Sequence, residues 1–319
     1  MRPRRLVIIL ITFGVSIFFL APAVVQLAAR HYISDARAQL EKQGINLSVT
    51  GIAGQILGVT ATSVDIWLPV RVGGRGIRFP IAIELRDVSV SLHPALAPHV
   101  RVQGEAYGGK FDLTISNLRN PAGPTFQALL EGIDLGAHPQ LHALGLSRAV
   151  ASLTLEDARI SFDQQTAARA SLKINDASFS ISPRLVELIG GEFQQVVSLL
   201  KIEEITEANI RVEATTENGA FSLRPIDLSS SLGEVSGQAR GTFNNGRGEP
   251  SLTANLHVAL SDTARHLQDW LPLLSQNRLS SETTEFTTSI SSTTCANASG
   301  PTLRLGRMCL RSTLAPEPR

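Results

Sequence analysis

One eight-residue phrase recurs along the chain, and it restricts the fold more than any other feature. It reads LRDVSVSL at 85–92, LEDARISF at 155–162, INDASFSI at 174–181 and ITEANIRV at 205–212. The shared template is aliphatic, any, acidic, Ala or Val, any, apolar, any, apolar. A period of two places alternate side chains on one face, which is what a strand with a single buried face requires. The acidic residues Asp87, Asp157, Asp176 and Glu207 are expected where each strand begins or turns. Alternation of this kind dominates from Ile45 onward, so the expected class is mainly β, with a long, largely antiparallel sheet.

A second phrase, V-x-G-x-A, occurs in VTGIAGQILG (49–58), VQGEAYGGKF (102–111) and VSGQARGTF (235–243). In the middle copy Val102, Gly104 and Ala106 share one face of a strand, and Phe111 begins the apolar face of the next. Tyr107, Gly108 and Gly109 lie between them, with the glycines expected to supply the left-handed backbone of a tight hairpin. The Gly-Gly-Lys of this stretch also invites a phosphate-cradling reading. That chemistry needs GxxxxGK[ST] opening a helix, so that backbone amides converge on the anion. Here Lys110 leads into FDLTIS, which alternates, and VGGRGIRF (72–79) is likewise a turn between strands. The spacings between copies are irregular, which excludes a solenoid of fixed period.

The N-terminus has a different character. Arg2, Arg4 and Arg5 precede LVIILITFGVSIFFLAPAVVQLAA, residues 6–29, without a charged side chain. A helix of that length, at about 1.5 Å per residue, covers a hydrocarbon core of about 30 Å. Arginines on one flank keep the N-terminus cytoplasmic and export the chain beyond Arg30. A cleaved signal peptide ending at Ala21-Pro22-Ala23 is the competing reading, disfavoured by the proline and by the apolar run beyond it. The expected organisation is a cytoplasmic tail (1–5), an anchor (6–29), a juxtamembrane helix (30–44) and an exported β-rich domain (45–275). A Ser/Thr-rich weak strand near TEFTTSIS and a disordered tail complete it (276–319).

Two helical stretches interrupt the β pattern. SPRLVELIGGEFQQVVSLLKI (182–202) opens with Ser182 as cap and Pro183 in the first turn, and SDTARHLQDWLPLL (261–274) spaces Leu267, Trp270, Leu271 and Leu274 helically.

Chemistry-bearing patterns are scarce. Lys+Arg at 29 against Asp+Glu at 28 lacks the basic excess of a nucleic-acid binder. Cys295 and Cys309 could form one disulfide in an oxidising compartment, and without neighbouring histidines they make a poor zinc site. His138 and His142 are four apart, but Pro139 is expected to break any helix that would pair them, which leaves surface or loop histidines. No GxSxG, HExxH or CxxC is present, so no catalytic, metal-binding or cofactor-binding residue is assigned and the chain is read as non-enzymatic. A long open sheet rich in Val, Leu and Ile must cover its apolar face with helices, with a partner or with lipid.

The span, the short helix and then GINLSVTGIAGQILGVTATSVDIWLP together resemble the opening of the bacterial type II secretion system protein N family, itself AsmA-like in style. VSVSLHPALAPHVRVQGEAYGGKFDLTIS (88–116) is similar to that family's signature, through Ala106, Tyr107, Gly108 and Gly109. The resemblance covers roughly residues 1–275, and the closing SGPTLRL only approximates the family's end. It implies a bitopic inner-membrane protein with a periplasmic β-rich region that accompanies the secretion machinery. The AsmA-like relatives imply a curved sheet, a groove or half-barrel, with an apolar concave face for acyl chains. Secretion-system subunits, the membrane and lipid are the partners it implies.

Overall fold

A computed structural model describes residues 3–42, 44–72, 77–94, 98–118, 120, 123–160, 166–185, 204–242, 251–275, 278–294, 303–305 and 308–316. Period-two alternation becomes antiparallel strand throughout, and the chain divides into two compact units. The first holds Met1–Val70 and Arg78–Leu118, the second Arg71–Ile77 and Arg119–Arg319.

The charge-free run and the amphipathic stretch after it form one helix, α1 (Pro3–Lys42), with Pro22 inside it. No separate juxtamembrane helix exists, because AARHYISDARAQLEK holds no glycine or proline. The change in polarity alters the helix's surroundings, not its backbone. α1 stops at Gly44, whose φ of 78° lets its N–H donate to Glu41 O at 2.9 Å while Ile45 N–H donates to Leu40 O at 2.9 Å. Among the described residues no helix is long and apolar enough to cross a membrane. The side chains of residues 3–20, most of the expected span, lie outside the described residues.

Beyond α1 the first unit contains β1 (Asn46–Thr50), β2 (Ala53–Gln55), β3 (Gly58–Val72), β4 (Ile77–His93), β5 (His99–Ala106) and β6 (Gly109–Ser116). They are ordered β1-β3-β4-β5-β6, with β2 also paired to β3. In the second unit come β7 (Thr125–Asp134), α2 (Pro139–Ala143), β8 (Leu146–Ile160), β9 (Thr166–Ser180), β10 (Glu204–Glu217) and β11 (Ala220–Ser230). They are followed by β12 (Gly233–Thr242), β13 (Ser251–Leu260), α3 (Arg265–Gln268), α4 (Leu271–Leu274), β14 (Glu285–Thr294), β15 (Leu303–Leu305) and β16 (Met308–Pro316). β7 to β14 pair in chain order, each with the next, and β16 and then β15 follow β14.

Three expectations change here. The acidic residues of the repeated template do not begin strands: Asp87, Asp157, Asp176 and Glu207 lie inside β4, β8, β9 and β10 with φ of 49°, 48°, 53° and 54°. Each sits where the register slips, so that Asp87–Val88 oppose Gly104 alone, Asp157–Ala158 oppose Ala168, and Asp176–Ala177 oppose Ala149. The template is therefore a β-bulge, whose left-handed residue Asp tolerates better than bulkier side chains. The residue after it turns inward: Val88, Ala158, Ala177 and Ala208 are all buried. Second, the C-terminal stretch expected as a disordered tail is β16, paired with β14 from Phe286↔Pro316 to Thr294↔Met308. Leu314 packs on the cluster of Leu271, Leu279 and Phe286, and that burial holds the strand in place.

The third change concerns His138, which is buried and not on the surface. Pro139 starts a helix there because the first helical position needs no N–H donor. His138 caps α2, its Nδ1 accepting from Gln140 N–H at 3.2 Å and Leu141 N–H at 3.4 Å. Ser182 also caps as expected, its Oγ accepting from Leu185 N–H at 3.1 Å. The rest of that predicted helix, 186–202, lies outside the described residues.

Candidate apolar groove

Bulges concentrate at one end of the second unit's sheet, where β7, β9, β11 and β13 finish and β8, β10 and β12 start. Gly132 in β7 takes φ 65° at a register slip and turns Ile133 inward, while Asp176 and Glu207 do the same for Ala177 and Ala208. A bulge leaves one N–H without a ladder partner. Asn209 supplies it for Asp176, its Oδ1 accepting from the backbone N–H at 3.2 Å while its Nδ2 donates to Glu207 O at 3.0 Å.

The inward residues are small, and that makes the site. Ala149 (1% exposed), Ala177 and Ala208 form a buried floor, with Leu135, Leu146, Ile174 and Ile205 packed around it. Above them lies a partly open cavity of about 430 Å³ that continues along Leu228, Val235, Val258 and Leu260. Its lining is almost wholly aliphatic; Ser230 and the exposed Glu234 are the polar residues at its margin. The volume lies within the range of small-molecule sites, about 300–1,000 Å³.

Hydroxyl groups stitch the end of the sheet beside this cavity. Ser231 N–H donates to Thr206 O at 3.0 Å, and Thr206 N–H returns a bond to Ser231 Oγ at 3.1 Å. Ser261 Oγ donates to Ser231 O at 2.6 Å, and Thr263 Oγ1 donates to the same carbonyl. Gly145 and Gly233 permit close approach: a Cβ there would meet Ser180 O at 1.8 Å and Ala259 O at 2.1 Å. The rim is thus fixed by backbone contacts, while the floor is left unfilled by short side chains.

The residues singled out in VQGEAYGGKF lie in the first unit. Ala106 pairs with Gly109, so the turn is the two residues Tyr107-Gly108, with φ of 46° and 77°. Both central residues are left-handed, as a type I′ hairpin requires, and the residue that joins Gly108 in that conformation is Tyr107 instead of Gly109. Gly109 opens β6 as a buried residue, and Lys110 is exposed within the strand. A tyrosine is held in this conformation by its hydroxyl, which donates to Ala82 O at 2.9 Å and accepts from Glu84 N–H at 3.2 Å. β5 last pairs with β4 at Arg86↔Glu105, so the phenol takes the place of a strand partner beyond that point. Burial raises the Tyr107 phenol above its ordinary range. Val102 pairs with Leu113, and Gly104 lies under Phe111, where a Cβ would meet the ring at 2.8 Å.

One polar pair stands out on β5 and β6. Arg101 Nε donates to both Asp112 carboxylate oxygens at 3.0 Å, and Gln103 Nε2 donates to Oδ2 at 3.1 Å. The hydrogen bonds from Arg101 hold the Asp112 carboxyl below the usual carboxylate range. Among the described residues no three His, Cys, Asp or Glu side chains converge as metal ligands. Cys295 lies outside the described residues, as does the side chain of Cys309, so the expected disulfide does too.

Sequence reasoning missed Gly132 and Ala149. LEGIDLGA (130–137) fits the recurring template once glycine is admitted at the acidic place and isoleucine at the one after it, since glycine adopts the same left-handed backbone. Ala149 sits in no template and is found only through its cross-strand position. Comparison with protein-family models, curated proteins and solved structures gives no match.

Proposed function

We propose that this chain is a non-enzymatic, membrane-anchored envelope protein that holds acyl chains in the groove of its second unit. The observation that carries the reading is the alanine floor under an almost wholly aliphatic lining. Such a site offers dispersion and desolvation to a hydrocarbon chain and nothing to a polar ligand. The charge-free residues 6–29 act as the inner-membrane anchor, with the N-terminus cytoplasmic and the β units periplasmic. The full chain, purified from membranes and stripped of loosely bound lipid, is expected to release phospholipid or fatty acid on extraction, detected by mass spectrometry. Ala177→Phe with Ala208→Phe fills the floor and should abolish that lipid while the far-ultraviolet strand signal persists. A folded wild-type chain that repeatedly carries no lipid overturns the reading.

A second reading, an accessory of type II protein secretion, is supported by the resemblance of residues 88–116 to the protein N family. It is compatible with the first. Deleting the gene should then reduce export of the machinery's substrates, and unchanged export overturns it.

A further inference from the structure

In the first unit, β2 lies against α1 at the point where the charge-free run ends. A Cβ at Gly54 would meet Pro22 O at 1.9 Å and Gln26 N at 2.8 Å, so only glycine lets the strand approach the helix this closely. Gln26 Nε2 donates to Ile52 O at 2.6 Å. From Ile45, whose N–H donates to Leu40 O, to Gly54, which lies on Pro22 and Gln26, the chain therefore runs back along α1 towards the helix N-terminus. The distances agree: the nine residues from 45 to 54 advance about 30 Å as strand and the eighteen from 40 to 22 about 27 Å as helix. Continuing in that direction, the turn Ile56-Leu57 between β2 and β3 lies about one helical turn nearer the N-terminus than Pro22.

That turn exposes its apolar side chains, Ile56 at 45% and Leu57 at 50%. On α1 the face turned away from β2 does the same at the level of β2, with Val24 at 64% and Leu27 at 72%. The chain around the turn is charge-free from Gln43 to Val64, between Lys42 and Asp65. Its backbone is partly paired: Gln55 pairs with Gly58, and Leu57 O accepts from Leu92 N–H at 2.7 Å. A hairpin tip that enters lipid must carry no charge and expose few peptide groups, since both are costly there.

We infer that the β2–β3 turn is a membrane-inserting tip, reaching into the outer leaflet of the bilayer beside the charge-free run of α1. Ile56 and Leu57 enter the acyl region together with Val24 and Leu27, so the first unit rests on the membrane and does not hang from a free linker. The occupant of this apolar surface is lipid, because the surface is continuous with the apolar run of α1. The inference rests on the anchor reading of residues 6–29.

The test uses the full chain in vesicles of phosphatidylethanolamine and phosphatidylglycerol. Single cysteines replace Leu10, Val24, Leu57 or Lys110 in a Cys295→Ser, Cys309→Ser background and carry an environment-sensitive fluorophore. Lipids bearing nitroxides on their acyl chains are expected to quench positions 10, 24 and 57 strongly and to leave 110 bright. Quenching at 10 without quenching at 57 overturns the inserted tip and leaves the anchor standing. Absence of quenching at 10 overturns the anchor and the tip with it. A label at 57 that is shielded from water yet not quenched marks a protein partner or a second copy, and it also overturns the inference. Leu57→Trp in the chain with its native cysteines, read with brominated lipids, checks that the background substitutions do not create the result.

Discussion

Gly104 in the first unit and Ala149 in the second each stand opposite a two-residue bulge of the same template, Asp87–Val88 and Asp176–Ala177. The space over the two bulges is used differently. Over Gly104 the ring of its cross-strand partner Phe111 closes the gap. Phe221 covers its own partner Gly241 in the same way, at the end of the second unit's sheet away from the groove. Over Ala149 the inward neighbours are Ala177 and Ala208, and a cavity remains. The bulge is a backbone device that turns a residue inward. Whether it yields core or groove depends on the side chain set opposite it.

Filling the filled site should hurt most. Gly104→Val drives two methyl groups into the Phe111 ring and towards Arg86 O, which a Cβ alone would meet at 2.9 Å. Overpacking of this kind costs about 2–3 kcal/mol, read as a lowered urea midpoint at unchanged slope. Ala177→Phe, placed over the cavity, should cost less. Equal losses at the two sites would break the comparison.

The bulge itself is tested at Asp176, with φ 53°. Asp176→Val should cost about 1–2 kcal/mol, because a β-branched side chain is strained in left-handed backbone. Asp176→Gly should be close to neutral, as the natural glycine at position 132 implies. Loss of the weak ion pair with Arg148, 3.6 Å apart and largely exposed, contributes little to either. If valine and glycine behave alike, the acidic residue is held there by charge and not by conformation.

Tyr107→Phe isolates the side chain that replaces a strand partner. Removing the hydroxyl from Ala82 O and Glu84 N–H should cost about 1 kcal/mol in thermal or chemical unfolding. The raised phenol sets the sign of a pH effect. Its contribution is complete below the ordinary tyrosine value of about 10 and is lost as pH rises through the higher folded value. Wild type should therefore lose stability in strong alkali more steeply than the phenylalanine variant.

These residues show what the sequence made legible. Alternation identified the strands, and the serine before Pro183 identified a helix start, because both depend on neighbours within a few positions. The left-handed backbone at Asp87, Asp157, Asp176 and Glu207 stayed hidden because a hydropathy period does not register a one-residue slip. The partner of the Tyr107 hydroxyl lies 25 residues away, beyond any local pattern. The groove was legible only as an apolar face needing cover. Its floor consists of alanines, which in sequence look like ordinary strand filler.

The smallest effect belongs to Arg101 and Asp112, which join β5 to β6 on the polar face. The carboxyl is held below its usual range, chiefly by its hydrogen bonds with the guanidinium. A group depressed in the folded state contributes above its unfolded value, about 3.9, and that contribution disappears as pH falls through the folded value. Arg101→Met should therefore flatten the acid limb of the stability curve, with a small loss in the neutral region and none at low pH, where the contribution has already gone. The Arg101 side chain is 42% exposed, and solvent screening keeps the neutral-pH loss well below that of Gly104→Val. Raising the salt concentration should shrink it further. A large, salt-insensitive loss at pH 7 would instead mean that this pair fixes the β5–β6 register.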